Sequence, residues 1–126
     1  MADTPALCRV STLAQLDDWL AASSDRPVWL FKHSLVCPTS HRALSEFASF
    51  VRRGSEVGES AVIEIQRARD VSKEVAARAA VKHESPQALL FRHGRVVWHA
   101  SHWNITETAL REAASTHEAD QEMVSG

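Results

Sequence analysis

The sequence predicts an α/β protein whose mixed sheet is flanked by helices. Three observations carry that prediction. Short apolar runs rich in strand formers alternate with segments of helical periodicity from the N-terminus to about Val81. Two further strand-like runs, Gln87–Phe91 and Val96–Ala100, flank the tight turn Arg92-His93-Gly94-Arg95, with Gly94 placed to supply positive φ, and so read as a β-hairpin. A last helical segment follows. Strands that alternate with helices pair in parallel through right-handed crossovers, and a hairpin adds antiparallel strands, so a mixed sheet between helices is the economical arrangement. At 126 residues the chain has the length of one domain.

Ala6 to Val10 reads as a short strand. Thr12 and Gln15 form a capping-box pattern, and Leu13, Leu16, Trp19 and Leu20 share a face, which predicts a helix over about Thr12–Ala22. The turn Ser23-Ser24-Asp25-Arg26-Pro27 delivers the run Val28-Trp29-Leu30-Phe31. That run is too short for a helix and is read as a buried strand, followed by a short polar connection. Pro38 suits a first helical position, and Leu44, Phe47, Phe50 and Val51 recur at helical spacing; the helix should end near Arg53 with Gly54 as terminator. After a polar loop to Ser60, Ala61–Ile65 is a second apolar strand. Asp70 is placed to cap a helix carrying Val71, Val75, Ala79 and Val81. Beyond the hairpin, Asn104 with Glu107 resembles a helix start, and that helix should reach about His117; residues 118–126 read as a frayed polar tail.

Composition excludes several classes. The formal net charge of −2 gives no reason to expect nucleic acid or an anionic membrane as partner. The longest apolar runs, such as Val28–Phe31 and Ala88–Phe91, are far too short to span a bilayer. Met1-Ala2-Asp3-Thr4-Pro5 has neither a basic start nor an apolar core, so a cytoplasmic location is expected. Two cysteines do not make a disulfide scaffold and are read individually.

Cys37 holds the chemistry. It stands where a buried strand has ended and a helix begins. The free N–H groups and the dipole of a first helical turn favour thiolate over thiol, and such cysteines fall from about 8.5 to somewhere within ~3.5–7.5. Lys32, His33, His41 and Arg42 are expected to add positive charge, and no acidic residue opposes it in sequence before Glu46. Ser40 occupies the place where a C-x-x-C protein carries its resolving cysteine. A serine cannot resolve a mixed disulfide, though its hydroxyl can donate to a thiolate, so the adduct must wait for an external thiol.

The order of elements with a cysteine at that helix start resembles thioredoxin, with Cys37-Pro38-Thr39-Ser40 as C-x-x-S in place of C-x-x-C. Three further segments narrow the likeness: Phe31-Lys32-His33-Ser34, Val81-Lys82-His83-Glu84-Ser85-Pro86-Gln87, and Val97-Trp98-His99-Ala100-Ser101-His102-Trp103-Asn104-Ile105-Thr106. Over residues 10 to 116 the chain resembles the bacillithiol-system redox-active proteins, the monothiol bacilliredoxins of certain bacteria. It departs from them at Thr39, where family members often carry Ile. The resemblance implies a thioredoxin-like mixed sheet flanked by helices. It implies that Cys37 attacks the bacillithiol sulfur of a modified protein, that the reduced protein leaves, and that a second thiol releases the bacillithiol from Cys37. It places Ser85-Pro86 beside the cysteine with a cis bond, the backbone of Ser85 pairing with an extended substrate segment. His33, Pro38, Thr39, Ser40, Ser85 and Pro86 are thus the supporting or substrate-binding residues. No cofactor is bound and bacillithiol is a co-substrate; the partners are bacillithiolated client proteins and bacillithiol with its reductase system.

Other readings stay open at this level. Cys37 as an inert helix-cap residue competes with Cys37 as a nucleophile, since free cysteine is often buried. Cys8 reads as a small core residue of the first strand. The seven histidines invite a metal site, with Cys37 and His41 one helical turn apart, but no convergent set of three or four ligands is evident. Trp98 and Trp103 are expected to pack the last strand against the last helix, and His33 either tunes the thiol or is a solvated loop residue. For the whole chain, the alternatives are a glutaredoxin-like oxidoreductase serving another small thiol and a non-catalytic thioredoxin-fold binding module.

Overall fold

The computed structural model describes residues 7–53 and 59–125, with side chains as far as residue 117. The proposed terminator Gly54 and the loop to Gly58 lie outside the described residues, as does Ala6 of the first strand. The elements in order are β1 (Cys8–Arg9), α1 (Leu13–Ala22), β2 (Val28–His33), α2 (Pro38–Arg53), β3 (Glu59–Glu64), α3 (Arg69–Ala79), β4 (Gln87–Arg92), β5 (Arg95–Ser101), a 3-10 turn (His102–Asn104) and α4 (Glu107–Ser125). They form a five-stranded sheet in the order β1-β3-β2-β4-β5. β3 runs parallel to β1 and to β2, and β4 runs antiparallel to β2 and to β5.

The central strand β2 is buried over its whole length. Its side chains alternate between two layers, as the two-residue period of a strand requires. Val28 and Leu30 enter the layer with Leu16, Leu20, Ile63, Val71 and Val75. Trp29 and Phe31 enter the layer with Phe47, Phe50, Ile105 and Leu110. Trp29 meets Phe50 and Trp98 edge-on at 5.1 and 5.7 Å between ring centroids, and Phe31 stacks on Phe47 at 5.2 Å. Such pairs add about 0.5–1.5 kcal/mol each beyond the area they bury. The strand also continues through the expected polar connection: Lys32 and His33 are its last two residues, and both are buried.

Local chemistry sets the ends of the elements. Thr12 and Gln15 make the reciprocal capping box at the start of α1. At its end Ser23 donates from Oγ to the Leu20 carbonyl at 2.6 Å and accepts from the Gly94 N–H at 2.7 Å, which ties α1 to the hairpin turn. His93 and Gly94 both have positive φ there, +55° and +75°. That is the conformation a two-residue hairpin loop between paired Arg92 and Arg95 demands. The Ser85-Pro86 bond is cis.

Four expectations need correction. Cys8 is exposed rather than in the core, because β1 is a two-residue edge strand. Asp70 does not cap α3: the cap is Ala68, and Asp70 sits in the first turn with its carboxylate accepting the adjacent Val71 N–H at 2.8 Å. Asn104 ends a 3-10 turn instead of opening a helix. Thr106 takes that place, its Oγ1 accepting the Ala109 N–H at 3.1 Å, while Glu46 accepts the Glu107 N–H at 2.7 Å. α4 runs past the expected end near His117, to Ser125, through a stretch rich in Ala, Glu, Gln and Met, all good helix formers.

Candidate functional site

β2 ends at His33, and a four-residue loop carries the chain into α2. The Cys37 carbonyl accepts the N–H of Ser40 at 3.0 Å and of His41 at 3.2 Å, so Cys37 is the cap of α2 and Pro38 its first residue. Cys37 is half-buried, Thr39 likewise, Pro38 is exposed, and Val36 ahead of the cysteine is 79% exposed. Among the described residues no side chain hydrogen-bonds to the Cys37 thiol.

Ser40 is fully buried beneath the loop. Its Oγ accepts the Ser34 N–H at 2.8 Å and lies 2.8 Å from His33 Nδ1. Burial holds the His33 pKa below the ordinary histidine value; the His41 imidazole, edge-on at 4.8 Å, adds to that, and Glu64 opposes it. In the Nε2–H tautomer of neutral His33 the Ser40 hydroxyl donates to Nδ1, and in the Nδ1–H tautomer it accepts from it. In both, Ser40 Oγ is bonded to His33 and to the Ser34 N–H, and the resolving-cysteine position holds the loop. His33 is consequently a buried strand residue and not a solvated loop residue. Gln66 completes the clamp: it accepts the Leu35 N–H at 2.9 Å and donates to Ser34 Oγ at 3.0 Å. Nothing in the sequence marks this glutamine, which sits in a polar loop after β3.

The start of β4 lies at the same end of the sheet, since Gln87 pairs with Lys32. Ser85 and Pro86 therefore enter β4 where β2 delivers the cysteine loop. Ser85 Oγ is buried with no hydrogen-bond partner among the described residues. The Pro86 carbonyl accepts the N–H of His102, which has φ +57° and whose Nε2 is 2.8 Å from Glu84. Arg42 of α2 donates to the carbonyls of His102 and Ile105 at 3.2 and 3.0 Å and lies 4.7 Å over the Trp103 ring. Trp98 packs on Trp29 as expected of a core residue, but Trp103 is 66% exposed, held against Arg42 rather than between strand and helix.

Lys32 does not belong to the cysteine's positive flank. Being one residue from His33 on a strand, it points to the opposite face. There its Nζ is 3.1 Å from His83 Nδ1, with Ser72 Oγ 3.3 Å from the same nitrogen. Burial lowers the Lys32 pKa to about 8. The same cause, with the Lys32 charge second and Glu84 opposing, lowers that of His83.

Cys8 offers no partner to Cys37. It pairs with Ala61 in β3, which pairs with Leu30 in β2, so Cys8 lies two strands across, about 10 Å. A disulfide needs Cα atoms about 4.4–6.8 Å apart. Among the described residues there is no group of three or more His, Cys, Asp or Glu that could hold a metal ion. No described helix is long and apolar enough to cross a membrane.

Comparison with known proteins agrees with this geometry. A candidate oxidoreductase with a thioredoxin fold superposes with a TM-score of 0.77 at 31% identity, over 85% of this chain and 92% of that one. Thioredoxin from Fasciola hepatica superposes at 0.72 with 17% identity, over 88% and 99%. Spinach chloroplast thioredoxin f gives 0.68 with 15% identity, over 92% and 96%. At those lower identities the likeness concerns the fold, which is thioredoxin-like α/β. The family model of monothiol bacilliredoxin BrxC matches residues 8–110, a span that runs from β1 into α4 and takes in both the cysteine loop and Ser85-Pro86. This chain belongs to the monothiol bacilliredoxin family.

Proposed function

We propose that the protein is a monothiol thiol–disulfide oxidoreductase that removes bacillithiol from mixed disulfides on oxidised protein cysteines in the cytoplasm. In the first step the Cys37 thiolate attacks the bacillithiol sulfur. A bond forms between Cys37 Sγ and that sulfur, the client's S–S bond breaks, and the client cysteine leaves as a thiolate that takes up a proton. In the second step an external thiol attacks the bacillithiol sulfur on Cys37, and Cys37 departs as thiolate; the recycling thiol carries the new disulfide to its reductase. The client's cysteine is reduced and the external thiol is oxidised, so the electrons balance.

The observation that carries this reading is the pairing of a half-buried cysteine at a helix start with a buried, fully engaged serine three residues on. Such a site can form a mixed disulfide and has no internal thiol to resolve it. Thr39 and Pro38 flank the thiol on the surface side, and the backbone at Ser85 is the edge against which an extended client segment pairs. Family membership supports bacillithiol as the small thiol.

The test is intact mass after exposing the reduced protein to bacillithiol disulfide, beside glutathione disulfide, for wild type and Cys37→Ser. One adduct on wild type, absent from the variant and faster with bacillithiol, is the expected result. Equal rates with both thiols would keep the monothiol cycle and replace the small thiol with a less specific one. No adduct at Cys37 would leave a binding module as the better account.

A further inference from the structure

A single residue brackets Ser85 from both sides. The His102 N–H donates to the Pro86 carbonyl at 3.0 Å, one step past the Gln87–Ser101 pair that ends the β4–β5 ladder. His102 Nε2 lies 2.8 Å from Glu84 Oε1. A carboxylate oxygen accepts and does not donate, so Nε2 carries the hydrogen and the imidazole donates to Glu84. The neighbours of Ser85 on either side are thus held by the same residue. Ser85 itself is left open: its N–H, its carbonyl and its Oγ have no hydrogen-bond partner among the described residues. A free backbone donor and acceptor between two fixed neighbours is the edge that an incoming extended segment pairs with.

His102 is in turn fixed from the helix that Cys37 caps. Its φ of +57° lies in the left-handed region, which a residue other than glycine keeps only where its surroundings hold it there. Its carbonyl accepts from Arg42 Nη2 at 3.2 Å and from the Ile105 N–H at 3.3 Å. Arg42 opens the second turn of α2. The contacts therefore run from the helix of the nucleophile, through Arg42 and His102, to Glu84 and Pro86 on the two sides of Ser85. We propose that His102 is a positioning residue of this site: it sets the Ser85 backbone edge in register with the Cys37 thiol, and Glu84 acts through it. This rests on the edge-pairing reading above and adds the residue that holds the edge. The Glu84–His102 pair suits that use better than a stabilising one, because the side chains are 32% and 52% exposed, and such pairs add little to the stability of a fold.

The test uses the full chain and two substrates. One is the mixed disulfide of bacillithiol with an extended cysteine peptide, which can pair with Ser85. The other is bacillithiol disulfide, which has no extended peptide segment to pair. The rate of Cys37 adduct formation with each is followed by intact mass for wild type, His102→Asn, Glu84→Ala, Glu84→Gln and the double variant of His102→Asn with Glu84→Ala. Asparagine tolerates the positive φ and keeps the N–H to Pro86, but loses the imidazole. In His102→Asn and in Glu84→Ala the rate with the peptide should fall about tenfold relative to the rate with bacillithiol disulfide, as a misplaced edge costs the peptide alone. Glu84→Gln keeps an acceptor oxygen, so its ratio should stay within about threefold of wild type. The double variant should be no worse than either single one, because the two residues work as one unit. Equal losses with both substrates would overturn the proposal, since His102 would then support the fold and not the edge. A ratio that Glu84→Ala leaves unchanged would overturn it too. Wild type that forms no adduct with either disulfide would instead overturn the proposed function.

Discussion

Replacing Ser40 by Ala tests whether the serine in the resolving position holds the loop or acts on the thiol. The hydroxyl has two partners, both buried: it accepts the Ser34 N–H and is hydrogen-bonded to His33 Nδ1, each at 2.8 Å. Alanine leaves a buried backbone N–H with no acceptor, which costs about 1–3 kcal/mol, and removes a side-chain hydrogen bond with a net worth of about 0.5–1.5 kcal/mol. Water has little room to compensate, because Ser40 has no exposed surface and Ser34 and His33 have little. The variant should therefore lose about 2–4 kcal/mol in urea unfolding at unchanged m, and melt about 8–15 °C lower. Ser40→Cys keeps a weak donor and acceptor of similar shape and should lose about 1 kcal/mol. The rate of Cys37 adduct formation per folded molecule should stay within about threefold of wild type, as the hydroxyl is not directed at the thiol. A stability loss under about 0.5 kcal/mol would refute the structural role. Near-normal stability with adduct formation slowed more than about tenfold would show that the hydroxyl serves the thiolate.

Three other expectations follow from single residues. Burial lowers the Lys32 pKa from 10.5 to about 8, so between those values the unfolded chain keeps a proton that the folded chain has released. The contribution of Lys32 therefore rises with pH across that window, and its cost is fully present below about pH 8; it amounts to at most ~3 kcal/mol. Lys32→Met should remove this dependence, so its advantage over wild type in urea unfolding shrinks as pH rises from about 8 to 10.5, and an advantage that does not change with pH would contradict the assignment. Ala80 caps the end of α3 with φ +55°, and the N–H of Val81 bonds back to Ala76 at 3.2 Å. Glycine adopts that conformation without a side-chain clash, so Ala80→Gly should raise stability by about 1 kcal/mol, read as a higher urea midpoint at unchanged m. Thr12→Ala removes half of the capping box at α1 and should lower stability by about 1 kcal/mol on the same measurement.

The sheet and most of its helices were legible because hydrophobic period and turn chemistry are local signals. Leu16 and Leu20, Phe47 and Phe50, and Val71 and Val75 all lie where their spacing puts them. Gly94 and the capping box are equally local. The failures share a physical cause. Asp70 and Asn104 are good cap residues by type, yet the true helix ends depend on how the chain leaves β3 and β5, which no local pattern records. Cys8 reads as core because free cysteine is a small, often buried residue, but a two-residue edge strand buries little. Trp103 was placed inside by its size. Its exposure depends on Arg42, sixty-one residues away in sequence, which holds the ring from outside.

The pair Lys32-His33 carries the same lesson into the site. Two polar residues after an apolar run read as the end of a strand, and by that reading both would lie in solvent beside Cys37. In the fold the strand runs on, so their side chains must diverge to opposite faces and both are buried. Each then needs a partner, and the partners come from different distances: Ser40 is 7 residues from His33, and His83 is 51 residues from Lys32. The near partner belongs to the C-x-x-S motif itself, so its role could be looked for once the motif was seen. The distant partner could not be inferred from spacing at all. Extending one strand by two polar residues thus ties it to both faces of the sheet: His33 fixes the loop that presents Cys37, and Lys32 meets His83 on the α3 side. Replacing the two separately should therefore disturb different properties, His33 the geometry of the cysteine loop and Lys32 the pH dependence of stability.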